Sequence, residues 1–282
     1  MIRKVNEQEL SNCVNVIKES FITVANDFGF TIENAPRFTA FATTEDRLKW
    51  HFLGEHRPMY AFFDKDTIVG YYSLLLQENN ECELNNLCVI PSHRHQKIGA
   101  ELLKHAFDVA KELGCTEIVV HNGFVPNTSY YPGWVKNATA FWQEFFKDKD
   151  NSITMMIENQ CEEDGEVLKM AIDSVNDSRL KVCLDIGHAN ANSNMAVEDW
   201  IKTLGNRIGY LHLHNNHGKV SGRPSYLNDE HLGLADGTID IDKTFKLLEE
   251  YCPNAIWNIE CNLDYIEDSV QVLDKLGYLI KK

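Results

Sequence analysis

The chain has 282 residues, 44% of them hydrophobic, enough for one large domain or two ordinary ones with a buried core, and this excludes a disordered or fibrous chain. Its 42 acidic residues against 27 basic ones leave a formal charge of −15, which repels nucleic-acid backbone and anionic membrane, so nucleic acid is not an expected partner. The apolar runs stop short of the roughly 18 residues a membrane helix needs, and the opening Met-Ile-Arg-Lys-Val-Asn-Glu is charged where a signal peptide is apolar, so a cytoplasmic protein is expected. The cysteines are scattered without a CxxC pair, which predicts reduced thiols.

In chain order, Ile2 to Val5 reads as a short strand and Asn6 to Ser20 as a helix, with Leu10, Val14, Ile17 and Phe21 at helical spacing. Met59 to Phe63 and Thr67 to Gln77 read as strands joined by a hairpin turn at Asp64-Lys65-Asp66, and Glu83 to Ile90 as a third strand stopped by Pro91. Ile98 to Leu113 is amphipathic, with Leu102, Leu103, Ala106, Phe107 and Ala110 on one face and Gly114 as its C-terminal cap. Three meandering strands before a helix predict an α+β sheet.

From Cys115 the pattern becomes strand, polar loop, helix, repeated. Glu117 to His121, Ile153 to Glu158, Val182 to Asp185, Ile208 to His212 and Ala255 to Glu260 are apolar runs, each ending in a residue able to bind metal or move protons. Helices fit between them at Asn137 to Phe146, Gly165 to Ser174, Ala196 to Leu204 and Asp242 to Tyr251. Polar residues recurring at the ends of successive strands are the pattern of a β/α-barrel active face, with only five of its eight strands countable.

The first chemical motif sets a strand, a turn and a helix start in a row: Leu84-Asn85-Asn86-Leu87-Cys88-Val89-Ile90-Pro91, then Arg94-His95-Gln96-Lys97-Ile98-Gly99-Ala100-Glu101. A helix start offers free N–H groups and a positive dipole end, which suit a pyrophosphate and equally suit an ordinary cap. This stretch resembles the acetyl-CoA motif of the GNAT acetyltransferase superfamily, and residues 1–120 are similar to it in their order of elements. The resemblance implies that Leu87 and Val89 offer backbone groups to the pantetheine arm of acetyl-CoA. It also implies that the loop from Arg94, with the amides of His95, Gln96, Lys97, Ile98, Gly99 and Ala100, holds the pyrophosphate. Lys97 stands where the family has its first glycine, and the family's last helix and two final strands are not found after residue 120. Glu83 is a candidate base for an acceptor amine or a solvated strand-end carboxylate.

The second motif is denser. Six of the eleven histidines lie between residues 121 and 231, and four fall within 212–231. Imidazole and carboxylate alternating over strand ends suit a divalent ion such as Zn, Mn or Mg. The runs are Val120-His121-Asn122-Gly123, Ile157-Glu158-Asn159, Leu184-Asp185-Ile186-Gly187-His188, His212-Leu213-His214-Asn215-Asn216-His217, Asp229-Glu230-His231 and Ile259-Glu260. Residues 115–282 resemble the xylose isomerase-like superfamily of sugar-phosphate isomerases, ketose epimerases and the apurinic endonuclease IV branch. The resemblance implies a metal quartet of Glu158, Asp185, His212 and Glu260. In the endonuclease branch His121 would serve a second ion, and His188, Asp229 and His231 a third. His214 and His217 are expected behind the ligands or on the substrate.

The fold expected is mixed α/β: a partial GNAT-like α+β sheet, residues 1–120, fused to a partial TIM barrel of the last five strands, residues 115–282. The leading function is a metal-dependent sugar or sugar-phosphate isomerase or epimerase. Glu158 and Glu260 would move a proton, and His188 would orient a substrate hydroxyl or phosphate. An acetyl-CoA-dependent N-acyltransferase, an inactive or binding chimera, and an abasic-site endonuclease are the alternatives. An unclosed barrel exposes strand edges, which are expected to be covered by the other half of the chain or by a partner chain, as in a homo-oligomer.

Overall fold

Two stretches of chain gather mainly within themselves, Met1–Val120 and His121–Lys282. The computed structural model describes residues 1–77, 80–123, 130–223 and 225–279.

The first unit builds strands β1 (Ile2–Lys4), β2 (Met59–Asp64), β3 (Thr67–Leu76), β4 (Glu81–Val89) and β5 (Glu117–His121), hydrogen-bonded in chain order. The first four pair antiparallel, and β5 joins β4 in parallel. Its helices are α1 (Leu10–Phe28), α2 (Thr39–Ala42), α3 (Glu45–Leu53) and α4 (Ile98–Glu112). Strand β3 reads as an almost unbroken apolar run because both α1 and α4 lie against it, so most of its residues are buried.

The β2–β3 hairpin turns at Lys65-Asp66, with Asp64 opposite Thr67 and Lys65 at φ 53°. Helix α1 begins later than the pattern suggests, after a capping box between Asn6 and Glu9, and runs past Ser20 to Gly29 at φ 68°. Gly114, at φ 82°, ends α4 as expected, and the Cys115 amide reaches back to the Ala110 carbonyl.

The second unit contains four parallel strands in chain order, β6 (Thr154–Glu158), β7 (Leu180–Asp185), β8 (Ile208–Leu213) and β9 (Ile256–Ile259). Around them run α5 (Tyr131–Phe146), α6 (Glu166–Val175), α7 (Ile186–Asn192), α8 (Val197–Leu204), α9 (Ser225–Asn228), α10 (Ile241–Tyr251) and α11 (Ile266–Leu276). Leu168, Ala171, Trp200, Ile201, Phe245 and Leu248 seal the helical faces. Helix α5 starts at Tyr131 and not Asn137, because Pro132 suits a first helical turn. Helix α7 falls where the sequence reads as a loop.

All eight cysteines are free. Among the described residues, no helix is long and apolar enough to cross a membrane.

Candidate metal centre

Parallel pairing brings the strand ends together. Asp185 at the end of β7 sits opposite His212 on β8, Glu158 at the end of β6 sits opposite Cys183, and Glu260 follows β9 directly. The β7–β8 register shifts by one residue between Val182 and Cys183, the extra residue on β8 being Gly209. Such a bulge re-aims the residues beyond it. A side chain at Gly209 would meet Lys181 Cδ at 2.7 Å and Met156 Sδ at 3.0 Å, so glycine lets the strands cross here without moving either side chain.

The result is one group of four, Glu158, Asp185, His212 and Glu260, each offering a ligand atom within 4.8 Å of the others. His212 Nδ1 stands 3.1 Å from Glu158 Oε1 and 2.7 Å from Glu260 Oε2. Glu158, Asp185 and His212 are buried, while the Glu260 side chain is 33% exposed. A second group, His188, His214, Asp229 and His231, meets the same criterion. Asp185 lies between the two: its Oδ2 is 3.9 Å from His212, and its Oδ1 is 3.0 Å from His214 Nε2.

Asparagines hold these loops. Asn159 donates to the Asp185 carbonyl and accepts from the Asp185 amide, at 2.9 and 2.8 Å, which locks the end of β7 to the end of β6. Asp185 then caps α7 by accepting from the His188 amide at 2.7 Å, so the turn that aims His188 is built on a ligand residue. Asn216 donates to the Gly187 carbonyl, and Asn215 donates to the Leu234 and Ile239 carbonyls. Gly187 has to be glycine, since a Cβ there would lie 1.9 Å from His214 Cε1.

Burying so many carboxylates is costly unless positive charge answers them. Burial pushes the Glu158 carboxyl up, but His212 and His121 outweigh it and hold it well below the carboxylate range. Burial opposes ionisation of Asp185 as well, and His188 and His214 bring it down to about 2. The histidines respond in kind. Burial disfavours the charged His188, yet Asp185 and Asp229 raise it well above its ordinary value, and Asp229 lifts His231 to about 9. Carboxylate and imidazole thus shift each other toward their charged forms, as a buried site that answers negative charge with positive charge requires.

The sequence-derived residues sort as follows. His121 stands at the rim, half exposed, with Nε2 3.2 Å from Glu158 Oε2 and outside both four-residue groups. His217 is exposed and pairs with Glu230 at 2.8 Å, away from the ligands. His214 belongs with His188, Asp229 and His231, stacked on His231 at a 4.0 Å centroid distance. The histidine period of β8 placed it on the correct face, and the strand end hid its role. Glu162 was not foreseen: it is buried, its carboxyl is raised by that burial, and it accepts from Asn122 Nδ2 at 2.5 Å and the Gln160 amide at 2.7 Å.

In the first unit, Arg94 is already committed. It donates to the Val89 carbonyl at 3.1 Å, the Ser20 carbonyl at 2.9 Å and Thr23 Oγ1 at 3.0 Å, tying the end of β4 to α1. The Val89 carbonyl, one of the backbone groups expected along a pantetheine arm, thus already accepts one hydrogen bond and keeps a second lone pair. Leu87 is half-buried in the irregular part of β4, before Cys88 resumes pairing with Tyr71. His95 and Lys97 take left-handed φ values of 62° and 64°, so lysine adopts the conformation that favours glycine. Lys97 opens α4 with no side-chain cap, followed by Ile98, Gly99 and Ala100, and Gln96 donates back to the Ser92 carbonyl.

The family profile described as a xylose isomerase-like TIM barrel matches residues 75–276. The chain belongs to the xylose isomerase-like TIM barrel family. The match starts inside the first unit, ahead of the expected residue 115. Two uncharacterised proteins of Methanocaldococcus jannaschii are similar to it. MJ1311 is 26% identical, over 60% of this chain and 58% of its own length, so this chain spans little more than half of that relative. MJ1614 is 25% identical, over 86% of this chain and 92% of its own length. Among solved structures, a D-tagatose 3-epimerase-like protein aligns at 24% identity and TM-score 0.53, covering 66% of this chain and 71% of that one. The IOLI protein with a binding zinc atom aligns at 17% identity and TM-score 0.51, over 63% and 67%. These likenesses fix the fold as mixed α/β and TIM-barrel-like. A Staphylococcus aureus acetyltransferase of the GNAT family covers 42% of this chain and 70% of its own at 21% identity, with a TM-score of 0.33 that assigns no fold.

Proposed function

We propose that this chain is a divalent-metal-dependent isomerase or epimerase of a small sugar or sugar phosphate. The observation that carries the reading is the convergence of Glu158, Asp185, His212 and Glu260 within 4.8 Å, from four separate strand ends. The residues fit an ion: the donors are imidazole and carboxylate, which suit Zn, Mn or Mg, and Glu260 Oε2, 2.7 Å from His212 Nδ1, makes no aligned hydrogen bond among the described residues. A zinc atom in the IOLI protein of the same fold agrees with that chemistry. When bound, the ion would supply Lewis-acid stabilisation of substrate oxygens on which charge develops. Glu158, Asp185 and His212, the buried members, would hold it. Glu260, the exposed member, would exchange a proton with the substrate carbon, and His188 would orient a neighbouring hydroxyl or phosphate.

The test is metal analysis of the purified protein together with a ketose epimerisation assay. Wild type should take up one of Zn, Mn or Mg and exchange a substrate carbon-bound proton with solvent deuterium. Asp185→Ala should lose both while remaining soluble. A wild type that retains none of these ions after loading would refute the reading. Cleavage of abasic-site DNA in place of proton exchange would favour the endonuclease branch, against which the net charge of −15 argues.

A second reading places acetyl-CoA on the first unit, because α4, fifteen residues long, opens without a side-chain cap after two left-handed residues. CoA should then raise the thermal midpoint by binding the folded state, and Gly99→Glu should abolish the rise. No shift with wild type would remove this reading and leave the metal reading untouched.

A further inference from the structure

A cavity of about 230 Å³ in the first unit is lined by side chains of unusual polarity. Arg37, Arg47 and Arg57 surround it together with His51, while β3 and β4 supply Leu75, Glu83, Asn85 and Asn86. Three guanidiniums around one cavity stand out in a chain that carries fifteen more acidic than basic residues. Arg57 is half-neutralised by Glu55, with Nε 2.6 Å from Oε2. Arg37 and Arg47 have no carboxylate within ion-pair distance among the described residues; Glu55 acts on Arg47 only at longer range, and Glu83 lies on the strand side of the same cavity.

Two further observations point to a ligand. Asn85 Nδ2 and His51 Nδ1 are buried with no hydrogen-bond partner among the described residues. Buried polar atoms are nearly always hydrogen-bonded, so an amide donor and a ring nitrogen left without partners along one cavity indicate a polar guest. The wall that carries Asn85 is also deliberately irregular. Between Ser73↔Asn85 and Tyr71↔Cys88, β4 advances three residues while β3 advances two, and Asn86 takes a left-handed φ of 55°. A bulge of this kind turns strand side chains toward a site, and it is the bulge that brings Asn85 and Asn86 to the same cavity. Burial, reinforced by Arg57, lowers His51 to about 4, so at neutral pH its ring is uncharged and the free nitrogen can hydrogen-bond without adding charge.

We propose that this cavity binds a small oxyanion, a carboxylate or phosphate, on a molecule of amino-acid size whose amine end meets Glu83. Arg37 and Arg47 hold the anion in the planar, bidentate manner that guanidinium favours for both groups. Asn85 and His51 fix its orientation. Glu83, on the strand side of the same cavity, selects the cationic end. A cavity near 230 Å³ has room for a molecule of amino-acid size. The site is separate from the carboxylate-rich centre of the second unit and makes the opposite electrostatic demand.

The experiment is calorimetric titration of the full chain with inorganic phosphate, propionate and β-alanine, the last two matched except for the amine. Wild type should bind phosphate and β-alanine in the millimolar range or tighter, with β-alanine at least tenfold tighter than propionate. The double variant Arg37→Gln, Arg47→Gln, whose positions are exposed, should fold normally and lose at least tenfold in affinity for all three. Glu83→Gln should remove the preference for β-alanine while keeping propionate binding. Asp185→Ala separates the two sites, because anions also ligate metals: binding that survives this variant belongs to the cavity. Absence of binding by wild type, or binding that the arginine double variant retains and Asp185→Ala loses, overturns the proposal.

Discussion

The two units collect charge by opposite topological means. In the second, four parallel strands end on one side, so the residues at those ends are neighbours whatever their separation in sequence: Glu158, Asp185, His212 and Glu260 meet although 102 positions part the first from the last. In the first, antiparallel strands send alternate ends to opposite sides. There the charged cavity is assembled from helix and loop arginines laid over a bulged strand face. A parallel array concentrates acidic donors and calls for a cation. The meander with its overlaid helices concentrates guanidinium and calls for an anion.

The sharpest way to break the first half of that comparison is Gly187→Ala. Its Cβ would overlap the His214 ring, with Cε1 at 1.9 Å and Nδ1 at 2.3 Å. The ring stacks on His231 and reaches Asp185, so displacing it disturbs the second group of ligands while leaving Glu158, His212 and Glu260 in place. Loss of a residue that orients metal ligands costs about 10–100-fold in affinity. Titration with zinc should show the weaker of two binding events reduced by that factor and the tighter one nearly unchanged. Equal loss of both would mean that the two groups form one indivisible centre. Binding should also release protons, because a ligating imidazole must be neutral and the Asp229 hydrogen bond raises His231 to about 9 against its burial. Zinc titrations in two buffers of different ionisation heat should give different apparent enthalpies, and affinity should fall as pH is lowered.

Much of the second unit could be read in advance because period-two alternation places a strand's last residue on a known face, and the four apolar runs that became its strands each ended in a donor. What stayed hidden depends on three-dimensional closure. Helix α7 starts on Asp185 itself, and its shortness left no periodicity to detect. Glu162 looks like one more acidic residue in a polar loop until Asn122, forty residues earlier, is brought against it. In the first unit the meander and α4 follow from the pattern, but the role of Arg94 does not. The resemblance of its loop suggests a phosphate contact, whereas the guanidinium donates to the Ser20 carbonyl and the Thr23 hydroxyl of α1, more than seventy residues away in sequence.

That reassignment sharpens the second half of the comparison, since it separates an arginine that builds the fold from arginines that face a cavity. Arg94→Ala leaves the Ser20 and Val89 carbonyls without their charged donor. Hydrogen bonds to charged groups are worth about 1.5–3 kcal/mol, and compensation by water at this half-buried site brings the expected loss to about 2 kcal/mol in denaturant unfolding. Arg37→Gln, at an exposed position, should change stability by no more than about 0.5 kcal/mol. A reversed order would mean that the cavity arginines hold the first unit together.

An effect smaller than that of Arg94 belongs to His51, and its sign distinguishes an empty cavity from an occupied one. Burial, then Arg57, hold the folded-state value near 4 against an ordinary 6.5, with Glu55 opposing and Arg47 assisting. The unfolded chain therefore takes up a proton before the folded one does. Stability from this residue is fully present above pH 6.5 and is lost as pH falls toward 4. The full shift would be worth about 3 kcal/mol, and solvent screening at the open cavity reduces the expected drop to about 1 kcal/mol. His51→Gln, which cannot titrate, should lack that part of the drop, so the two unfolding free energies should converge between pH 6.5 and 4. An anion held by Arg37 and Arg47 would favour the imidazolium and bring the folded-state value back up. Saturating phosphate should then flatten the pH dependence of wild type and leave that of His51→Gln unaltered; identical slopes with and without phosphate would place the anion elsewhere.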